Sequence, residues 1–159
     1  MKNNDKTNVM RILDKAKISY EHHNYVDTGV VSGDDVAKVL GQNPAKVFKT
    51  LVTVGATKKN YVFLIPVCCE LDLKKAAKSV GEKSIEMLKS KELLPLTGYI
   101  HGGCSPIGMK KLFRTVIDVS AESFDTIIFS GGKIGYQVEL PLGDLCKVIP
   151  FDTAELCMA

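Results

Sequence analysis

The sequence predicts an α+β fold: a compact mixed, mostly antiparallel sheet or barrel-like core with surrounding helices. Three observations predict it. Phe48–Val54 and Tyr61–Val67 are rich in β-branched residues and are joined by Gly55-Ala56-Thr57-Lys58-Lys59-Asn60, the pattern of a hairpin. Thr115–Val119, Thr126–Phe129 and Gly135–Leu140 follow one another as strand signals without intervening helices, which argues against a doubly wound parallel sheet. No internal repeat, low-complexity stretch or Pro/Ser-rich linker divides the 159 residues, so one domain is expected over 1–159.

The elements read in order as follows. Thr7 is placed to cap a helix whose apolar residues Val9, Ile12, Leu13 and Ala16 fall at helical spacing. Ile18–Tyr25 reads as a short strand and Val26–Gly33, with two glycines, as a loop. Asp34 or Asp35 starts a helix that turns Val36, Val39 and Leu40 inward and closes at Gly41. Asn43-Pro44 predicts a brief helical turn. After the hairpin, Leu73–Val80 is expected to be a helix ending at Gly81, and Ser84–Lys89 another. Tyr99–Gly103 leads into a glycine-proline loop, and Pro141 opens a last helix through Cys146.

Composition narrows the class. The chain is 45% hydrophobic and 25% charged, ordinary for a globular protein. The longest nearly unbroken apolar run, Tyr61–Cys69, is far short of the roughly 20 residues that a spanning helix needs. Residues 1–20 lack the apolar core of a signal peptide, so the five cysteines are expected to be reduced thiols in a cytoplasm, with no membrane partner. The net charge of +3 hides an asymmetry. Residues 1–45 are neutral, residues 46–114 carry a net +8 and residues 115–159 a net −5. Such a basic segment attracts a polyanion if its lysines share a face; otherwise it only solvates the fold.

Several familiar chemistries leave no trace. There is no G-x-x-x-x-G-K-[ST], no Cys-x-x-Cys and no Gly-x-Ser-x-Gly, and Gly131–Gly135 is too short for a phosphate loop. Adjacent Cys68 and Cys69 point to opposite faces of any strand, and His22, His23 and His101 lack ligand spacing, so no metal or other cofactor is expected.

Four groups remain. Gly102-Gly103-Cys104-Ser105-Pro106-Ile107-Gly108 specifies a tight loop whose main-chain groups can approach a ligand, or an ordinary turn. Lys110 and Lys111 follow it, with Arg114 nearby. Lys49 shares a strand face with Leu51; a lysine there needs an anionic partner or must snorkel to water. Ser130-Gly131-Gly132-Lys133, with Tyr136 and Gln137, joins two strands as a site loop or a plain hairpin. Cys104 beside lysines is either a nucleophile of lowered pKa or inert.

Taken together, these blocks resemble a known family. Thr7–Arg11, Lys49-Thr50-Leu51-Val52, Glu70–Lys74, Thr97-Gly98-Tyr99, Gly102–Lys111 and Ser130–Lys133 look like the YbaK/EbsC family of free-standing aminoacyl-tRNA deacylases. That family is related to the editing domain of bacterial prolyl-tRNA synthetases. The resemblance runs from about residue 6 to about 149. It implies trans-editing hydrolysis of Cys-tRNA(Pro), in which the substrate's own thiol attacks its ester, with prolyl-tRNA synthetase as partner. It implies that Lys49 is the essential lysine and that Gly102 lies beside the scissile ester. Tyr25, Gly103, Ser105, Pro106, Gly108 and Ser130 would shape the substrate pocket. Gln137 stands where members often carry aspartate, so only a hydrogen-bonding role carries over. Lys46, Lys110, Lys111 and Arg114 are the expected tRNA contacts within the basic segment. Two other readings stay open: a deacylase for Ala- or another small aminoacyl-tRNA, and a non-catalytic module that binds tRNA or the synthetase.

Overall fold

The computed structural model describes residues 6–30 and 32–158. Val31, in the loop expected over Val26–Gly33, and the two ends of the expected 1–159 domain lie outside the described residues.

The chain opens with helix α1 (Asn8–Lys15), and the Thr7 side chain accepts from Met10 N–H at 3.2 Å. Such a cap contributes about 1 kcal/mol. Its inward residues are Val9, Met10 and Leu13, all fully buried. Strand β1 covers Glu21–Asn24, shorter than the strand expected from Ile18. A 3-10 turn (Val26–Thr28) then leads to helix α2 (Gly33–Val39). Val36 faces inward as expected, but Val39 is 52% exposed because α2 packs through the small Ala37 instead.

A second 3-10 turn, Pro44–Lys46, follows Asn43, whose side chain accepts from Ala45 N–H at 3.0 Å. Strands β2 (Phe48–Gly55) and β3 (Asn60–Pro66) form the expected antiparallel hairpin, with Lys49 opposite Ile65. Helix α3 (Leu73–Val80) is capped by Asp72 and ends at Gly81, φ +74°.

The segment read as a helix over Ser84–Lys89 is a strand, β4 (Ile85–Met87). Its backbone pairs with β2, Ile85 opposite Gly55 and Met87 opposite Thr53. An open sheet edge thus overrides a weak local helix preference. Helix α4 (Ser90–Thr97), with Pro95 inside it, was not among the expected elements. The rest of the chain forms β5 (Arg114–Asp118), β6 (Ile127–Ser130), β7 (Tyr136–Leu140), helix α5 (Leu142–Leu145) and a short β8 (Asp152–Ala154).

The strands make two sheets. One runs β1-β7-β6, all antiparallel; the other runs β4-β2-β3-β5-β8, with parallel pairs at β3/β5 and β5/β8. Most pairs are antiparallel, as expected. The core is two open sheets, however, joined by a single parallel bridge between Val47 and Ile128, and not a closed barrel. The main core lies between the sheets under α1, and includes Phe48, Val52, Leu64, Ile117, Phe129 and Val138. Phe63, Ile65, Val116 and Leu156 pack on the other face of the larger sheet, with Ala76 and Ala77 of α3. Strand β3 is therefore buried on both faces, which explains its continuous apolar run.

Candidate active site

The walls of one cleft, of about 430 Å³, come from distant parts of the chain. Strand β2 contributes Val47–Val52, α2 contributes Gly33 and Val36, and β4 and α4 contribute Met87, Leu88, Ser90 and Leu93. The loop after α4 adds His101, Gly102 and Cys104, while β6 and β7 add Phe129, Ser130 and Gln137.

Five of the thirteen site residues singled out from sequence meet here: Tyr25, Lys49, Gly102, Ser130 and Gln137. Lys49 is half-buried on the wall, and among the described residues no carboxylate pairs with it. Gly102 turns the loop at φ +88°, a conformation that favours glycine. Tyr25 is buried at the end of β1, its N–H donating to Gly135 O at 2.8 Å. Ser130 Oγ accepts from Gly132 N–H at 3.1 Å, which fixes the β6–β7 turn and leaves the hydroxyl proton to donate. Gln137 is 5% exposed and opposes Ser130 in register.

The glycine-proline loop divides in two. Gly102 and Cys104 face the cleft. Gly103 packs against Lys133 and Ile134, where an added Cβ would lie 3.1 Å from Ile134 N. Ser105 is fully buried and its Oγ accepts from Ile107 N–H at 3.3 Å. Pro106 and Gly108 line a separate small hollow with Ile12 and Lys111. An added Cβ at Gly108 would lie 2.9 Å from Tyr99 Oη. Gly103, Ser105, Pro106 and Gly108 thus hold the loop in place, and only its first part meets the cleft.

The thiol of Cys104 is inert at neutral pH: burial pushes it up to about 12. Thr50 on β2 carries a buried hydroxyl with no hydrogen-bond partner among the described residues. The sequence reading missed Thr50, α2 and α4 as walls, because their spacing resembles ordinary core and strand patterns.

The basic residues separate by partner. Lys46 Nζ donates to Glu139 Oε2 and to Thr126 Oγ1, both at 3.0 Å. Burial works to raise the Glu139 carboxyl, but hydrogen bonds from Thr126, His23 and Lys46 overcome this and hold it down at about 2. Glu21, His23 and Glu139 bring donor atoms within 4.8 Å of one another, but both Glu139 oxygens are already engaged. Arg114 spans the end of α3, donating to Ser79 O and Val80 O at 3.3 and 3.4 Å, with Asp152 at 3.7 Å. Lys110 is exposed and reaches Pro95 O at 3.3 Å; Lys111 is also exposed.

Comparison with known proteins places this arrangement. The aminoacyl-tRNA editing domain model matches residues 28–148. A candidate Cys-tRNA(Pro)/Cys-tRNA(Cys) deacylase EbsC of Enterococcus faecalis (strain ATCC 700802 / V583) is 46% identical over 140 residues, covering 87% of this chain and 85% of the relative. The uncharacterized protein YwhH of Bacillus subtilis (strain 168) is 25% identical over 121 residues, 76% of each chain. The crystal structure of a candidate trans-editing enzyme for prolyl tRNA synthetase superposes with a TM-score of 0.81 at 21% identity, over 96% of this chain and 99% of that one. Among the described residues no helix is long and apolar enough to cross a membrane. With a matching domain model over most of its length and a close full-length relative, the chain belongs to the aminoacyl-tRNA editing domain family.

Proposed function

We propose that the protein is a trans-editing deacylase that removes cysteine from Cys-tRNA(Pro), as one domain over residues 1–159 and in partnership with prolyl-tRNA synthetase. The observation that carries the reading is a cleft in which, among the described residues, Lys49 pairs with no carboxylate and the lining thiol of Cys104 is pushed up to about 12 by burial. At that value the thiolate is a negligible fraction near pH 7. The substrate must therefore supply what the protein lacks.

The aminoacyl group enters the cleft with its thiol beside its own ester carbonyl. A bond forms from sulfur to the carbonyl carbon, and the bond from that carbon to the ribose oxygen breaks. The thiol proton passes to the leaving ribose oxygen, and the product is a cyclic thiolactone. Well-oriented intramolecular attack reaches effective molarities of about 10⁵–10⁸ M, so positioning suffices. Gly102 offers main-chain groups without a Cβ in the way, and Tyr25, Ser130 and Gln137 bound the aminoacyl group. Lys49 meets the terminal phosphate or ribose of the acceptor end. Exposed Lys110 and Lys111 extend the electrostatic contact, while Lys46 and Arg114 are engaged by protein partners. Phosphate contacts position a nucleic acid and do not specify it, so selection of tRNA(Pro) falls to the synthetase.

Single-turnover deacylation tests this. Cysteine should leave tRNA(Pro) far faster than the spontaneous rate, and serine, which lacks a thiol, should not. Equal loss of alanine and cysteine would move the reading to a small-aminoacyl deacylase. Salt-sensitive tRNA binding with no ester loss would make the protein a binding module.

A further inference from the structure

Gln137 does not meet the cleft alone. Gln42 Nε2 donates to Gln137 Oε1 at 2.8 Å, and Gln137 Nε2 donates one N–H in return to Gln42 Oε1 at 3.4 Å. Gln42 is itself held. Its main-chain N–H donates to Ala37 O at 2.8 Å, closing the end of α2 after Gly41 turns at φ +66°. The amide pair thus ties the end of α2, which walls the cleft through Gly33 and Val36, to β7. Helix α2 is also anchored by a small cluster of Ala37, Val47, Val67 and Ile128.

A primary amide has one oxygen acceptor and two N–H donors. With its oxygen turned to Gln42, Gln137 has an N–H left for a ligand. We propose that Gln42 is a positioning residue that, through Gln137, makes this end of the cleft a hydrogen-bond donor, so that the aminoacyl ester is taken with its α-amine uncharged. The proposal rests on the deacylase reading above. An ammonium carries only donors and gains nothing from an N–H, whereas a free amine offers its lone pair. The residue type matters at position 42 because its partner atom decides which end of the Gln137 amide is presented.

Charged and titratable groups surround the pair. Glu139, with His23 and Lys46, lies on the same face of the smaller sheet. Lys49 comes from β2, and Tyr25, His101 and Cys104 from the lining loops. Helix α2 turns Val36 and Ala37 inward, while its Asp34 lies 3.9 Å from Lys38. All of these are shared by variants at position 42, and the charge that Lys or Glu itself introduces is separated from the amide by the Gln137→Leu arm below. The substrate's thiol, near pH 8.5, and its α-amine, about 7.7–8.0 for a model α-amino group, are likewise common to all.

The experiment measures KM and kcat for Cys-tRNA(Pro) at pH 6.5 and 8.5, with thermal melting to confirm that each protein is folded. In the wild type KM should be higher at the lower pH. Gln42→Lys is a donor only, holds the Gln137 oxygen as before, and should keep the wild-type KM ratio. Gln42→Glu is an acceptor only. It should draw the Gln137 N–H to itself, turn the oxygen into the cleft, and lower the ratio about tenfold, equivalent to about 1.4 kcal/mol, with kcat changed less. Adding Gln137→Leu to Gln42→Glu should abolish that effect. A ratio unchanged by Gln42→Glu, or a change that survives Gln137→Leu, would overturn the proposal. Wild-type protein that leaves the ester at its spontaneous rate would instead overturn the deacylase reading. Side-chain amide NMR then still decides the pair, which falls if Gln42→Glu and Gln42→Lys leave the Gln137 signals alike.

Discussion

Lys46 and Lys49 stand three residues apart in the chain, yet they sit in opposite electrostatic settings. Lys46 is locked between Glu139 and Thr126 on the smaller sheet. Lys49 lines the cleft and, among the described residues, pairs with no carboxylate. One strengthens the fold; the other is available to a ligand. Both belong to the same basic segment, so charge counted along the sequence does not separate them. The identity of the partner atoms does.

The largest expected effect breaks the cleft side of this comparison. Lys49→Ala should slow single-turnover deacylation on the order of 10²–10³-fold, as for loss of one oriented electrostatic contact. Melting should stay near wild type, because Lys49 has no ion pair to lose. Wild-type turnover by the folded variant would take Lys49 out of the site.

The next effect breaks the other side. Glu139→Gln should lower unfolding stability by on the order of 2–3 kcal/mol at neutral pH, measured by chemical denaturation. The basis is the drop of the carboxyl from its usual 4.5 to about 2. The sign follows from that depression. The contribution is complete above about pH 5 and is lost as pH falls from about 4.5 toward 2. A stability curve for Glu139→Gln that parallels the wild type across that window would remove the network's role.

Smaller effects sharpen the comparison at the surface. Lys110→Gln and Lys111→Gln should each weaken tRNA binding a few-fold and reduce the salt slope by about 1 per lost phosphate contact. Lys46→Gln should leave that slope unchanged, because its ammonium is already engaged. The smallest effect belongs to Cys104→Ser, which should keep deacylation within about twofold. An inactive but folded variant would make the protein thiol the nucleophile, despite the burial that keeps it protonated.

What the sequence revealed followed the range of the interactions. Capping at Thr7, the β2–β3 hairpin and the end of α3 at Gly81 are local, and all were readable. Ile85–Met87 became a strand only because β2 offers an edge, a fact that its own residues do not encode. Helix α4 carried no clear signal, since Pro95 lies inside it and forgoes the hydrogen bond that an N–H there would give to Lys91 O. Within the site, blocks of residues marked Lys49, Gly102, Ser130 and Gln137. Gln42 carried no signal, because its partner lies 95 positions away. The loop from Gly102 to Gly108 read as one functional unit, yet its second half serves the core.

The short strand β8 has a consequence for how this chain is made. Asp152–Ala154 closes the free edge of β5, Leu156 is fully buried, and its N–H donates to Asp118 while its carbonyl accepts from Asp72 N–H. Helix α3 and strand β5 are synthesised long before these partners exist. During translation the edge of β5 therefore waits unpaired, and the far face of the larger sheet, already partly covered by α3, stays incomplete until residues 152–158 have left the ribosome. Contacts so distant in sequence slow the final step of folding, and exposed sheet edges invite association in the meantime. Nascent chains halted before residue 152 should accordingly be more sensitive to proteases and more dependent on chaperones than chains released past 158, although the cleft-forming strands β1–β7 are already complete.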